Sequence, residues 1–254
     1  MGKIAFAGIA LAVLLAVPAQ ADVITLRADE WCPYNCAEGA ELPGYGVEIA
    51  TEIFAKAGHT LEYRNLAWAR ALEECRKGSI MAVIGAAKKE VPDFVFPEET
   101  IAVADNSFVV KKGSSWRYDG PQSLEGIKLG VIRGYSYDGE VGDYVETNRR
   151  NTRRIDMVGG EGALDMNLKK LNAGRVAATV DAGPVLAYKM KQLGFTDRMQ
   201  FVGSVDPSQT YIAFSPANPK SREYADILDK GLAEMRASGR LKQILDRYGV
   251  PDWK

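Results

Sequence analysis

The stretch Ser123-Leu124-Glu125-Gly126-Ile127-Lys128-Leu129-Gly130-Val131-Ile132-Arg133-Gly134-Tyr135-Ser136 decides the architecture, because it starts a strand–loop–helix unit for the second time in the chain. Ile127–Ile132 predicts a buried strand. Gly134-Tyr135-Ser136 predicts a turn into a helix, with Ser136 as its N-cap. Strands over Arg154–Val158 and Arg175–Asp181 then alternate with helices over Ala163–Asn172 and Gly183–Leu193, where Pro184 falls in the tolerated first turn. Upstream, the same alternation runs through strand Val23–Ala28, helix Gly46–Ala57, strand Leu61–Arg64, helix Ala67–Lys77 and strand Ile80–Gly85. Such spacing yields mostly parallel sheets covered by helices, and two sets yield two α/β lobes. Strands Met199–Gly203 and Thr210–Phe214 follow, then two tail helices within Pro219–Tyr248, broken at Ser238-Gly239. The tail is expected to return to the first lobe. That divides the chain into a first lobe, 22–109 and 210–254, and a second, 110–209, with hinge crossings near Ser107–Gly113 and Val205–Tyr211.

In open parallel sheets, ligands bind beyond the carboxyl ends of strands. Four loops qualify: Asp29-Glu30-Trp31-Cys32-Pro33-Tyr34, Ala86-Ala87-Lys88-Lys89, Arg133-Gly134-Tyr135-Ser136 and Asp181-Ala182-Gly183. Two belong to each lobe, so the expected site is a cleft between lobes. Trp31, Tyr34 and Tyr135 offer flat apolar faces with polar edges. The amides of 134–137, at a helix N-terminus, suit an anionic group. Asp181, just beyond a buried strand, suits a cation or a donor. Structural alternatives stand beside each assignment. Trp31 and Tyr34 could belong to the first core, and Tyr135 and Ser136 could be turn residues. Lys88 and Lys89 could be solvated loop charges, and Asp181 could cap the helix that opens at Gly183.

Composition narrows the class. The chain has 254 residues, of which 46% are apolar and 26% charged, so it can bury a core and is not disordered. A net charge of -1 excludes a strongly basic nucleic-acid binder. A single histidine, His59, excludes most His-rich metal sites; between Gly58 and Thr60 it reads as a surface turn residue. Residues 1–21 combine Lys3, an apolar run from Ile4 to Val17, and Ala19-Gln20-Ala21. This is the pattern of a secretory signal peptide cleaved after Ala21, with an N-terminal membrane anchor the alternative, and the run is shorter than the ~20 residues a bilayer span needs. The expected location is therefore periplasmic. An oxidising compartment makes a Cys32–Cys36 disulfide the preferred pairing, with Cys36–Cys75 the alternative. Trp68, Ala71, Leu72 and Cys75 share one helical face, which reads Cys75 as a buried thiol. No cofactor or metal is expected.

At these residues the sequence resembles the family 3 extracellular solute-binding proteins. The resemblance rests on Trp31-Cys32-Pro33-Tyr34 followed by Gly44-Tyr45-Gly46-Val47-Glu48-Ile49-Ala50. It continues through Trp68-Ala69-Arg70-Ala71-Leu72 closing at Gly78, Leu124–Val131 with Gly134 after it, the strand ending in Asp181, and Ser238-Gly239-Arg240-Leu241 through Tyr248-Gly249. It implies a two-lobed clamshell of the periplasmic-binding-protein type that closes on a small polar solute and delivers it to an inner-membrane ABC permease, or acts as a sensor. It implies ligand contacts from Trp31, Tyr34 and Trp68, from Gly85, Ala86, Ala87 and Lys88, and from Gly134, Tyr135, Ser136 and Asp181. Amino-acid-binding members carry an Arg in the second ligand loop that forks onto the α-carboxylate, and an Asp that takes the α-ammonium. Here the loop reads Ala86-Ala87-Lys88-Lys89-Glu90-Val91-Pro92, without Arg. Lys is a point charge lacking the bidentate fork.

Three functions compete: a transport receptor acting as a monomer, a ligand-sensing partner of a membrane signalling protein, and a dehydratase-like enzyme. Acid–base chemistry needs a positioned carboxylate or His near the cleft. Only Glu30 and Asp181 offer themselves, from different lobes, and binding is the expectation.

Overall fold

In a computed structural model, residues 21–137, 139–205 and 207–254 are described. The expected signal peptide lies, up to residue 20, outside them.

The first sheet is built from β1 (Val23–Ala28), β2 (Thr60–Asn65), β3 (Ala82–Ala86), β4 (Ala102–Ala104) and β10 (Ser208–Phe214), in the order β2-β1-β3-β10-β4. The second contains β5 (Asn106–Lys111), β6 (Leu129–Ile132), β7 (Ile155–Val158), β8 (Ala178–Ala182) and β9 (Met199–Ser204), in the order β7-β6-β8-β5-β9. In each, three strands run parallel, the next one (β10 or β5) runs antiparallel to them, and the edge strand beyond it (β4 or β9) points the same way as the first three. The sheets are therefore mixed. The antiparallel strands are those the chain uses to pass from one lobe to the other.

The helices are α1 (Tyr45–Lys56), α2 (Trp68–Arg76), α3 (Gly139–Asn148), α4 (Ala163–Asn172), α5 (Gly183–Gln192), α6 (Ser221–Ala237) and α7 (Arg240–Tyr248). In α2 the buried residues are Trp68, Ala71, Leu72 and Cys75, the i, i+3, i+4, i+7 stripe that an amphipathic helix turns inward. Burial pushes the Cys75 thiol up to about 12, so it stays protonated and packs as a small hydrophobe. Cys32 and Cys36 form the disulfide. The tail helices pack on α1, and an Arg240–Glu52 ion pair ties α7 to it.

Along β5 the period-two alternation of a strand is visible in the packing: Phe108 and Val110 enter one core layer and Val109 the other. Both its faces are covered, and β5 is interior to the sheet because it pairs with β8 on one side and β9 on the other. This moves the first crossing from the expected Ser107–Gly113 to Asp105, the single residue between β4 and β5. A boundary at 109/110 would cut β5 in two. The second crossing lies between β9 and β10, since Ser208–Tyr211 already pair with the first sheet.

Two local expectations also shift. The helix after β6 begins at Gly139, not at Ser136. Tyr137 is buried, and its hydroxyl accepts the Ile132 amide at 2.7 Å, which keeps 134–137 as a non-helical excursion over the cleft. These amides are therefore not a helix N-terminus. His59 is no surface turn residue: its side chain is 8% exposed, its Nδ1 accepts the Asp22 amide, and its ring packs edge-on against Phe54 and Tyr224. Among the described residues no helix is long and apolar enough to cross a membrane.

Candidate functional site

A cavity with an empty volume of about 600 Å³, partly open to solvent, lies between the lobes at the strand ends. Asp29 and Trp31, just after β1, line it with Trp68 at the start of α2, with Gly85 of β3 and with Ala87 and Glu90 after that strand. The second lobe contributes Tyr135 and Ser136 after β6, and Asp181 and Ala182 at the end of β8. The crossings complete the floor with Asp105 and Asn106 on one side and Ser208 and Thr210 on the other. The cavity thus touches both lobes and both crossing strands.

Three polar links span the cleft. Trp31 Nε1 donates to Asp181 Oδ1 at 2.7 Å, and Tyr135 Oη donates to Asp29 Oδ2 at 2.7 Å. Each lobe therefore gives one carboxylate and one aromatic donor. Outside the cavity lining, Lys189 Nζ of α5 reaches Glu30 Oε1 at 2.9 Å and Asp165 Oδ1 at 3.3 Å.

Asp181 is 2% exposed. Its Oδ1 takes Trp31 and the Ala182 amide, whereas its Oδ2 has no hydrogen-bond partner among the described residues. It does not cap α5, whose N-cap position is Ala182 and lacks a side-chain cap. Burial pushes the Asp181 carboxyl up to about 6, against its two hydrogen bonds. Burial likewise pushes Asp29 up to about 7, aided by the charges of Asp181 and Glu90 and opposed by the Tyr135 bond. Elsewhere in the site, Trp68 Nε1 donates to Glu90 Oε1 at 2.8 Å, and Ser107 Oγ donates to Asp105 Oδ2 at 2.6 Å.

Of the residues expected from sequence, Trp31, Trp68, Gly85, Ala87, Tyr135, Ser136 and Asp181 line the cavity. Tyr34 does not: it is buried behind Trp31, stacked at a ring separation of 4.2 Å. Ala86, of opposite parity to Gly85 on β3, is fully buried in the first core. Lys88 is exposed, with its ammonium 4.6 Å from the centre of the Tyr211 ring and outside the cavity. Gly134 acts through backbone approach rather than by lining the cavity. It has φ +86°, and a Cβ there would sit 2.8 Å from Ala69 Cβ on α2, so glycine lets the lobes meet. Sequence reading passed over Glu90, Asp105 and Lys189. Glu90 is masked by the adjacent lysines, while Asp105 is the only charge between Glu99 and Lys111, a usable signal.

The family model for bacterial extracellular solute-binding proteins, family 3, matches residues 24–251. Comparison with the curated proteins found no sequence relative. Among solved structures, an ancestral arginine-binding protein bound to arginine superposes with a TM-score of 0.71 at 20% identity, covering 89% of this chain and 97% of that one. A histidine kinase sensor domain with similarity to periplasmic binding proteins gives 0.72 at 21% identity, covering 89% and 95%. The substrate-binding protein of an amino acid ABC transporter gives 0.69 at 16% identity, covering 89% and 98%. At these identities the likeness establishes the fold. The match over nearly all of the described chain places the protein in family 3 of the bacterial extracellular solute-binding proteins.

Proposed function

We propose that this family 3 protein captures a small polar solute between its lobes in the periplasm and delivers it to an inner-membrane permease of the ABC type. The observation that carries this reading is the composition of the cavity wall, which draws on both lobes and on both crossing strands. A solute seated there touches groups that come together only when the lobes do, so binding and closure are thermodynamically linked. Capture without turnover is supported by the match to a solute-binding family over residues 24–251. The test is a thermal-shift screen of the mature protein against amino acids, amines, small carboxylates and sugars, followed by small-angle scattering with each hit. A ligand at 100 times its Kd should add roughly 2.7 kcal/mol of stability and reduce the radius of gyration. A saturating hit that leaves the radius unchanged would overturn closure.

A further inference from the structure

Building on that capture reading, we infer that the solute is a compact organic cation without a carboxylate, an amine or guanidine of the kind left when a basic amino acid loses its α-carboxyl group.

The cavity wall carries four carboxylate side chains, Asp29, Glu90, Asp105 and Asp181, and no Lys or Arg among its described residues. A carboxylate on the ligand would enter this set without a cationic partner, at a cost several times that of a like-charge pair in water. Lys88, the nearest candidate for such a partner by sequence, lies over Tyr211 outside the cavity. The Glu30–Lys189 pair is likewise outside the lining. The four acids are not an idle cluster, because one of them is aimed inward with an unmet need. Asp181 is buried, faces the cavity, and its Oδ2 lacks a hydrogen-bond partner among the described residues. A buried carboxylate oxygen in that condition calls for a donor, and for a charged one above all.

Geometry separates an organic cation from a metal ion. Among the described residues no three acidic, His or Cys side chains converge closely enough to hold a metal. The carboxylates are instead distributed along the cavity, from the ends of β1 and β8 to the crossing at Asp105. Between them stand Trp31, Trp68 and Tyr135, whose ring faces attract ammonium and guanidinium groups and cover an alkyl stem. A neutral polyol could use the same aromatic walls, but it would bring no charge to the Asp181 oxygen that lacks a hydrogen-bond partner among the described residues.

The test uses matched pairs on the mature protein by isothermal calorimetry: putrescine with ornithine, cadaverine with lysine, and agmatine with arginine, with glutamate and glucose as controls. In at least one pair the decarboxylated member should bind tenfold or more tightly than the amino acid, and Asp181→Asn should weaken it at least 30-fold. Tighter or equal binding of the amino acid in every pair overturns the cation inference while leaving solute capture standing. So does binding of glutamate or glucose in place of the amines. If none of these solutes binds and the wider screen also yields no hit, capture itself falls, and the inference with it.

Discussion

In the first lobe, the loop after the leading strand is braced from behind. Trp31 stacks on Tyr34, Tyr34 tilts against Tyr45, and Tyr45 stacks on Trp253 in the C-terminal tail. The Cys32–Cys36 disulfide closes the same loop. In the second lobe the corresponding loop has, among the described residues, only the tilted Tyr135–Tyr137 pair, with ring centres 6.3 Å apart. It is held by the Tyr137 hydroxyl on Ile132, and it approaches α2 through the bare backbone of Gly134. The sheets behind these loops have the same strand order, so the difference lies in the loops alone. The first lobe supplies a stiff aromatic wall, and the second supplies a buried charge and a clearance. Affinity should therefore respond most to charge and clearance on the second lobe.

Asp181→Asn should break this contrast most severely. It nearly preserves shape while removing the charge that faces the cavity. Loss of one partner of a buried charge pair costs on the order of 2–5 kcal/mol. Calorimetry with the best-binding amine should show at least a 30-fold weaker complex, with a melting temperature equal to or above the parent's. An unchanged affinity would mean that the second lobe contributes shape alone.

Gly134→Ala comes next. The positive φ costs an L residue about 1–2 kcal/mol whether or not ligand is bound. The clash with Ala69 arises only where the lobes meet. Affinity should fall about tenfold beyond the loss expected from the melting temperature alone. Adding Ala69→Gly should restore the affinity but not the melting temperature. If the double variant binds no better, the close approach is not what limits closure.

Acid titration gives a third, smaller effect. Asp29 and Asp181 sit at about 7 and about 6, above their ordinary value of 3.8. The groups facing them are Tyr135, Trp31 and Glu90, with Tyr34 and Tyr137 also near enough to feel the Asp181 charge. The native state holds protons here that the unfolded chain has already lost. Their contribution to stability is complete below about pH 4 and is lost as pH rises through 6 and 7. A cation favours the ionised forms, so amine affinity should rise about tenfold between pH 5.5 and 7.5 with release of protons. Asp29→Asn should flatten both curves; a flat profile in the parent would refute the assignment.

How much of this was legible beforehand depended on whether a signal was local. Periodicity located α2, α4 and the break at Ser238-Gly239, because each helix carries its own apolar stripe. The strand-end rule reached Trp31, Tyr135 and Asp181, because it depends only on where strands stop. The crossing at Asp105 was missed because β5 is buried on both faces, and a strand of that kind reads as a plain apolar run. The Glu30–Lys189 link and the placement of Tyr34 behind Trp31 follow from tertiary packing, which no local pattern encodes.

Lys88 offers the smallest effect and the cleanest separation of ligand types. It follows the second ligand loop of the first lobe, where amino-acid-binding relatives are expected to present a cation to the α-carboxylate. If this protein used Lys88 in that role, Lys88→Met would remove a charge-assisted bond worth about 1.5–3 kcal/mol and weaken binding at least tenfold. The structure instead places its ammonium over the Tyr211 ring, exposed and outside the cavity. An exposed cation–π contact contributes only about 0.5–1 kcal/mol, and that acts on the fold rather than on the ligand. Removing the charge also takes one positive group away from the approach to an acidic cleft, which slightly favours an incoming cation. Lys88→Met should therefore leave amine affinity within about twofold of the parent, on the tighter side if it moves at all. A tenfold loss would return the ligand to the amino acids and make the first lobe, rather than the second, the source of its decisive charge.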